Sequence, residues 1–135
     1  MCTLRIGGPE FDVDEFLKRF SFEASSVFRK GAPRRPHADP SGPVIDESSV
    51  CIAASDAEWS DLPGQIRDVE AFLSVNREEL REVAKLPQLE QFVLDFPIEL
   101  RAGCGEIAAQ SDRFPASLVA AAGSIGLALE LTIYS

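Results

Sequence analysis

One histidine, His37, one tryptophan, Trp59, and three cysteines, Cys2, Cys51 and Cys104, are all that 135 residues contain of these types. The scarcity excludes several kinds of chemistry. A serine or cysteine nucleophile needs a base within hydrogen-bond reach, most often histidine. His37 stands alone among Arg34, Arg35, Pro36 and Pro40, a stretch without the rigid surroundings that a catalytic base requires, so no catalytic residue is assigned. The cysteines are odd in number and widely spaced, with no CxxC pair and no His/Cys cluster. Neither a zinc site nor a disulfide framework is expected, and no metal or cofactor is assigned. Cys51, inside VCIAA, reads as a small core residue.

Phosphate-binding loops are missing too. Neither GxxxxGK[ST] nor GxGxxG occurs, and Gly7–Gly8 and Gly103–Gly105 read as turns. No apolar run approaches the ~20 residues of a membrane span. The longest, LVAAAGSIGLALEL, is broken at Glu130 and carries two glycines, which suits a buried helix followed by a strand. The first residues, MCTLRIGGPEF, have no basic start and no apolar core, so no secretory signal is expected and the cytoplasm is the expected compartment.

Positive charge is the remaining shortage: 13 basic against 22 acidic residues, a net charge of −9. The distribution is uneven, with −2 over residues 1–23, +4 over 24–38 and −11 over 39–135. An acidic body lacks the surface that phosphate contacts need, which argues against nucleic acid. It suits a basic protein partner.

What is present is strong patterning. CTLRIG alternates, and SSVCIAAS, LEQFVLDFPIEL and LALELTIY repeat the period of a strand, with ASSVFRK a weaker fifth. Phe92, Leu94, Phe96, Ile98 and Leu100 fall on one face, as do Leu127, Leu129, Leu131 and Ile133, while Asp95, Glu99 and Glu130 point the other way. FDVDEFLKRF predicts a helix capped by Asp12, with Asp14 and Glu15 in the acidic start that a helix dipole favours. Asp61 and Pro63 open a second helical pattern through Ile66, Val69, Leu73, Leu80 and Val83. It is either one helix or two, 64–75 and 77–86, because Asn76 and Glu79 repeat the capping spacing. FPASLVAAAGSIG predicts a last helix closed by Gly126. Residues 31–47 hold four prolines and two glycines and predict a long loop without regular structure.

The expectation is a single α+β domain over 1–135, of order β-α-β-β-α-β-α-β. Its five-stranded, largely antiparallel or mixed sheet carries helices on one face. The two strand–helix–strand units, one near each end, suggest a duplicated, ferredoxin-like plan.

GGPEFDVDEFLKRF, then VFRKGAPRR, DVEAFLSVNREELREVAKL and FPASLVAAAGSIGLALELTIY, in that order, resemble the bacterial family catalogued as Domain of Unknown Function 4279. The resemblance covers most of the chain. Trp59 departs from it, since family members tend to place a tryptophan in the strand after the basic segment, where SSVCIAAS has none. The resemblance implies a fold and a bacterial origin. It brings no activity with it, and its gene neighbourhoods, which include toxin–immunity systems, add an immunity protein to the readings.

Two candidate sites follow. Arg29, Lys30, Arg34 and Arg35, with His37, either bind an anionic small ligand, for which arginine forks are suited, or solvate a loop and balance the acidic body. Trp59, in DAEWSD, is either a lid on the core or an anchor for a protein partner. Three functions fit. The first is a non-enzymatic protein-binding domain, in one form an immunity protein against a basic toxin. The second is an anionic-ligand-binding or enzymatic domain using residues 29–35. The third is a structural module whose exposed sheet edge pairs with itself, so the chain is expected as a monomer or a homodimer.

Overall fold

A computed structural model of the chain describes residues 1–134. Alternation in CTLRIGG makes β1 (Cys2–Gly8), whose Cys2, Leu4 and Ile6 are fully buried while Thr3 and Arg5 point to the other side. Gly7 sits where β1 is squeezed between neighbours, and a Cβ there would lie 2.6 Å from the Ser48 carbonyl oxygen. Asp12 then caps α1 (Val13–Arg19) by accepting from the Glu15 amide at 3.0 Å. Phe16 anchors α1 in an aromatic cluster, 5.6 Å from the Phe11 ring, 5.0 Å from Phe20 and 6.4 Å from Phe22.

After β2 (Ser26–Phe28) the chain forms β3 (Pro33–Arg35) and β4 (Asp39–Val44), a separate two-stranded ribbon. This corrects the loop expected over 31–47. A ribbon of two strands has two open edges, so a proline whose missing donor faces outward interrupts nothing. The ribbon is continued by the Gly31 amide donating to the Ile45 carbonyl and the Ile45 amide to that of Ala32, both at 2.8 Å. β5 (Ser48–Ser55), α2 (Leu62–Ala84), β6 (Gln91–Glu99), α3 (Ala116–Ile125) and β7 (Ala128–Tyr134) complete the chain.

α2 is one continuous helix of 23 residues, capped by Asp61 with Pro63 in its first turn. The second cap expected at Asn76 does not form. Its Nδ2 donates to the Phe72 carbonyl at 2.9 Å, a bond directed back along the same helix. No glycine or proline falls between Gln65 and Lys85 to break the ladder. Gly126 ends α3 in the left-handed conformation, at φ 96°, a geometry that glycine adopts without strain.

The main sheet has five strands in the order β2-β5-β1-β6-β7, antiparallel throughout except for the parallel pair β6–β7. With three helices the architecture is α+β and the sheet is mixed. The element order differs from expectation by the ribbon. The two strand–helix–strand units also differ from each other: β5 separates β1 from β2, whereas β6 and β7 are direct neighbours. One core holds buried side chains from β1, β5, β6 and all three helices, with the helices on one face of the sheet. The opposite face is uncovered. No helix among the described residues is long and apolar enough to cross a membrane.

Two side-chain placements also depart from the sequence reading. Cys51 is half-buried on the uncovered face, since the core positions of β5 are Val50 and Ile52. Leu131 and Ile133 share the helix-side face with Phe96 and Ile98, their partners in β6, yet are 44% and 58% exposed. At 1.5 Å per residue α3 runs about 15 Å, and at ~3.3 Å per residue β7 runs about 23 Å, so the helix ends before the strand does.

The three thiols should therefore react differently. Cys2 is fully enclosed, and burial pushes its thiol up to about 12; Cys104 is exposed. Alkylation of the native protein near pH 8 is expected to label Cys104 readily and Cys2 only after unfolding, read by peptide mass spectrometry. Labelling of Cys2 at the rate of Cys104 would contradict this placement.

Candidate functional site

The basic segment is consumed by local pairing. Arg29, just past β2, donates from Nη2 to Asp14 Oδ1 at 2.8 Å. That hydrogen bond, with the guanidinium charge, holds the Asp14 carboxyl below its ordinary value and raises Arg29 in return. Lys30 Nζ lies 3.4 Å from Glu10. Arg34 donates from Nε to the Val44 carbonyl and from Nη2 to Asp46, both at 3.0 Å, and so fastens the base of the ribbon. Arg35 faces Asp39 across the ribbon, and His37 stands exposed in its turn.

These five side chains do not converge on one cavity. A shallow depression of about 330 Å³ beside Arg29 and Lys30 is also lined by Glu10, Asp12 and Asp14. A second, of about 580 Å³ beside Arg34, is lined by Asp46 and Glu47. Neither offers an anion a cradle of one sign.

The pattern is general. Eight of the thirteen basic side chains (Arg5, Arg19, Arg29, Lys30, Arg34, Arg81, Lys85 and Arg101) sit in ion pairs. On the uncovered face Arg5 pairs with Glu130 and lies 3.9 Å from Asp95, which accepts from Thr132 Oγ1 at 2.6 Å. With eight cations paired to eight acids, five basic and fourteen acidic side chains remain outside these pairs, so the charge left facing outward is mainly acidic.

A different cluster forms where β5 hands over to α2. Asp61 fixes the start of α2 by accepting from the Gly64 amide at 2.9 Å, while its own amide donates to the Glu58 carbonyl at 2.9 Å. Ser55 Oγ donates to Asp68 at 2.6 Å and accepts from the Ala57 amide at 3.1 Å. The N-terminal ammonium donates to the Ala57 carbonyl at 2.6 Å. Gln65, fully buried, donates from Nε2 to the carbonyls of Glu58 at 3.1 Å and Pro97 at 2.9 Å, tying this loop to β6.

The pinned loop presents Trp59. Its ring is 5.6 Å from that of Tyr134 and tilted by 60°, and the two residues are 41% and 48% exposed. Trp59 is thus neither a closed lid on the core nor a free side chain. Tyr134 is paired in the sheet with Glu99. Glu99, Asp56 and Glu58 are exposed and have no ion-pair partner among the described residues. Leu100, whose amide donates to the Tyr134 carbonyl at 2.9 Å, adds exposed apolar surface. The result is an aromatic pair at the end of the sheet, with Glu99 opposite Tyr134 and Asp56 and Glu58 on the loop that carries Trp59.

The connection from β6 to α3 borders this cluster and is held by Asp112, which accepts from Arg101 at 2.7 Å and from Gln110 at 2.8 Å. Those hydrogen bonds, that from Arg101 first, lower the Asp112 carboxyl below 3.8. A depressed carboxylate stabilises the fold above its unfolded value and loses that contribution as pH falls through its folded one. Asp112→Asn is therefore expected to be less stable than the parent at neutral pH, with the gap closing as pH drops below 3.8. Urea unfolding across pH measures it; a gap independent of pH would contradict the pairing.

Sequence reasoning missed Tyr134 and Gln65. Gln65 leaves a trace, a polar residue within the apolar stripe of α2. Tyr134 leaves none, because its contact with Trp59 is made by the sheet. No group of three or more His, Cys, Asp or Glu side chains among the described residues is placed to hold a metal ion. Comparison of the chain with family models, with curated proteins and with solved structures finds no match.

Proposed function

We propose that this chain is a non-enzymatic protein-binding domain that takes a basic protein at the Trp59–Tyr134 end of its sheet. The observation that carries the reading is the half-exposed Trp59–Tyr134 pair, with exposed Asp56 and Glu58 on the Trp59 loop and exposed Glu99 opposite Tyr134 in the sheet. Tryptophan and tyrosine are the side chains that most often dominate binding energy, and an acidic rim steers and selects a basic partner. The pairing of Arg29, Lys30 and Arg34 with acids of the same chain favours this reading over an anionic ligand at residues 29–35.

Neutralisation of a basic toxin by an immunity protein is the particular case expected from the sequence, and it belongs to the same proposal. So does membership of the Domain of Unknown Function 4279 family. It is supported by where the quoted motifs fall: across α1, within α2, and through α3 into β7. A ferredoxin-like unit is supported by the order β2-β5-β1-β6, in which α1 and α2 each join strands flanking a third, with α3 and β7 added outside it.

Co-expression with the products of adjacent genes, followed by co-purification, tests the function. A basic protein should be retained at low salt and released as salt rises. If none is retained even at low salt, the reading fails.

A further inference from the structure

β7 is an edge strand with nothing to protect it. Its only strand partner among the described residues is β6, and seven consecutive residues, ALELTIY, continue that pairing without a register shift. Natural edges are kept from pairing by proline, lysine, bulges or short length. β7 has no proline, no lysine and no bulge, whereas β2, the opposite edge, is three residues long and leads into Arg29 and Lys30. The helix-side face of β7 is apolar (Leu129, Leu131, Ile133), and α3 leaves Leu131 and Ile133 44% and 58% exposed.

We propose that this edge is covered by a second copy of the chain, with the two β7 strands antiparallel about a two-fold axis through Leu131. The sequence of β7 is self-complementary about that residue. On the helix side Leu131 meets its own copy, and Leu129 meets Ile133 of the second copy. On the other side Glu130 meets Thr132, and the small Ala128 meets Tyr134. All seven residues find partners, the apolar strip runs unbroken across the junction, and no carboxylate faces another. An axis at Glu130 would set that carboxylate against its copy in a chain of net charge −9. An axis at Thr132 would leave Ala128 and Leu129 without partners inside the strand. An axis perpendicular to the sheet must fall on a residue, since paired residues then share a face.

The dimer goes beyond the protein-binding reading, and salt separates the two. Joining two chains of charge −9 is opposed by repulsion that salt screens, so the dimer should tighten with salt, whereas the complex with a basic protein should loosen.

Sedimentation equilibrium of the purified chain, and disulfide trapping in a Cys104→Ser background, form the test. The parent should sediment as a concentration-dependent dimer, more so at higher salt. Leu131→Lys, a change at a surface position, should be monomeric with unchanged far-UV circular dichroism. Under mild oxidation Leu131→Cys should yield a covalent dimer, while Leu129→Cys and Ile133→Cys, each far from its own copy in this register, should not. A strictly monomeric parent overturns the proposal. Trapping at position 129 or 133 as fast as at 131 overturns the register. A monomeric parent whose β7 amides become protected from exchange only in a complex with a basic protein reassigns the edge to a strand of that partner.

Discussion

Replacing Phe96 with alanine is expected to cost about 3–5 kcal/mol, a large fraction of the roughly 5–15 kcal/mol that holds a folded domain. Phe96 is the largest of the fully buried side chains and lies on β6, between β1 and β7. Its ring packs edge-on against Phe114 with centroids 4.9 Å apart, which joins the sheet to the entry of α3. Truncation removes that contact and leaves a cavity between elements fixed by hydrogen bonds on both sides, so the site cannot collapse to fill it. Equilibrium urea unfolding measures the loss. Phe96→Leu should lose much less, because it keeps most of the volume. A cost below about 1 kcal/mol for the alanine variant would mean that the sheet and α3 are not packed as described.

Gln65 carries the second large effect and bears on the site itself. Its Nε2 is the donor shared by the carbonyls of Glu58 and Pro97, and its Oε1 is buried without a partner. Gln65→Leu nearly keeps the volume and removes the donor; the Glu58 carbonyl retains the Asp61 amide, while the Pro97 carbonyl loses its side-chain donor, at a cost of about 1–3 kcal/mol. Gln65→Glu should cost more, about 3–5 kcal/mol, since it buries an uncompensated charge against two carbonyl oxygens. Because Trp59 is the only tryptophan and lies one residue from Glu58, its fluorescence reports whether the loop has loosened. Both variants should shift that emission under conditions where the protein is still folded. Stability and emission equal to the parent's in Gln65→Leu would show that another contact holds the Trp59 loop.

The parts of the fold legible in the sequence are those set by local chemistry. Asp12, Asp61 and Gly126 act at the helix ends where their side chains or φ preferences place them. The alternation of β1, β5 and β6 gives the faces those strands bury. The failures arise where the cost of a residue depends on distant surroundings. Prolines at 33, 36, 40 and 43 read as breakers, but each strand of a two-stranded ribbon has one open edge, where a missing donor interrupts no ladder. Leu131 and Ile133 have the right phase for burial, yet their exposure is decided by the length of α3 and by an edge position. Periodicity is blind to which charges meet, so Arg29 and Lys30 read as a free basic patch until α1 brings Asp14 and Glu10 beside them. Trp59 was legible as a residue of interest, but Tyr134 and Gln65, which define its setting, were not.

Calorimetry of the co-purified basic protein binding to three forms of the chain decides between the Trp59 site and the basic segment: the parent, Trp59→Ala, and a variant with Arg29, Lys30 and Arg34 all changed to serine. Trp59→Ala should weaken binding by at least about 30-fold, the loss of a hot-spot side chain worth ~2 kcal/mol. The triple variant, once shown to be folded, should bind at least as tightly as the parent, since the change frees acids and makes the chain more negative. The opposite outcome, binding unaffected by Trp59→Ala and abolished in the folded triple variant, would contradict the Trp59 site and return binding to the basic segment.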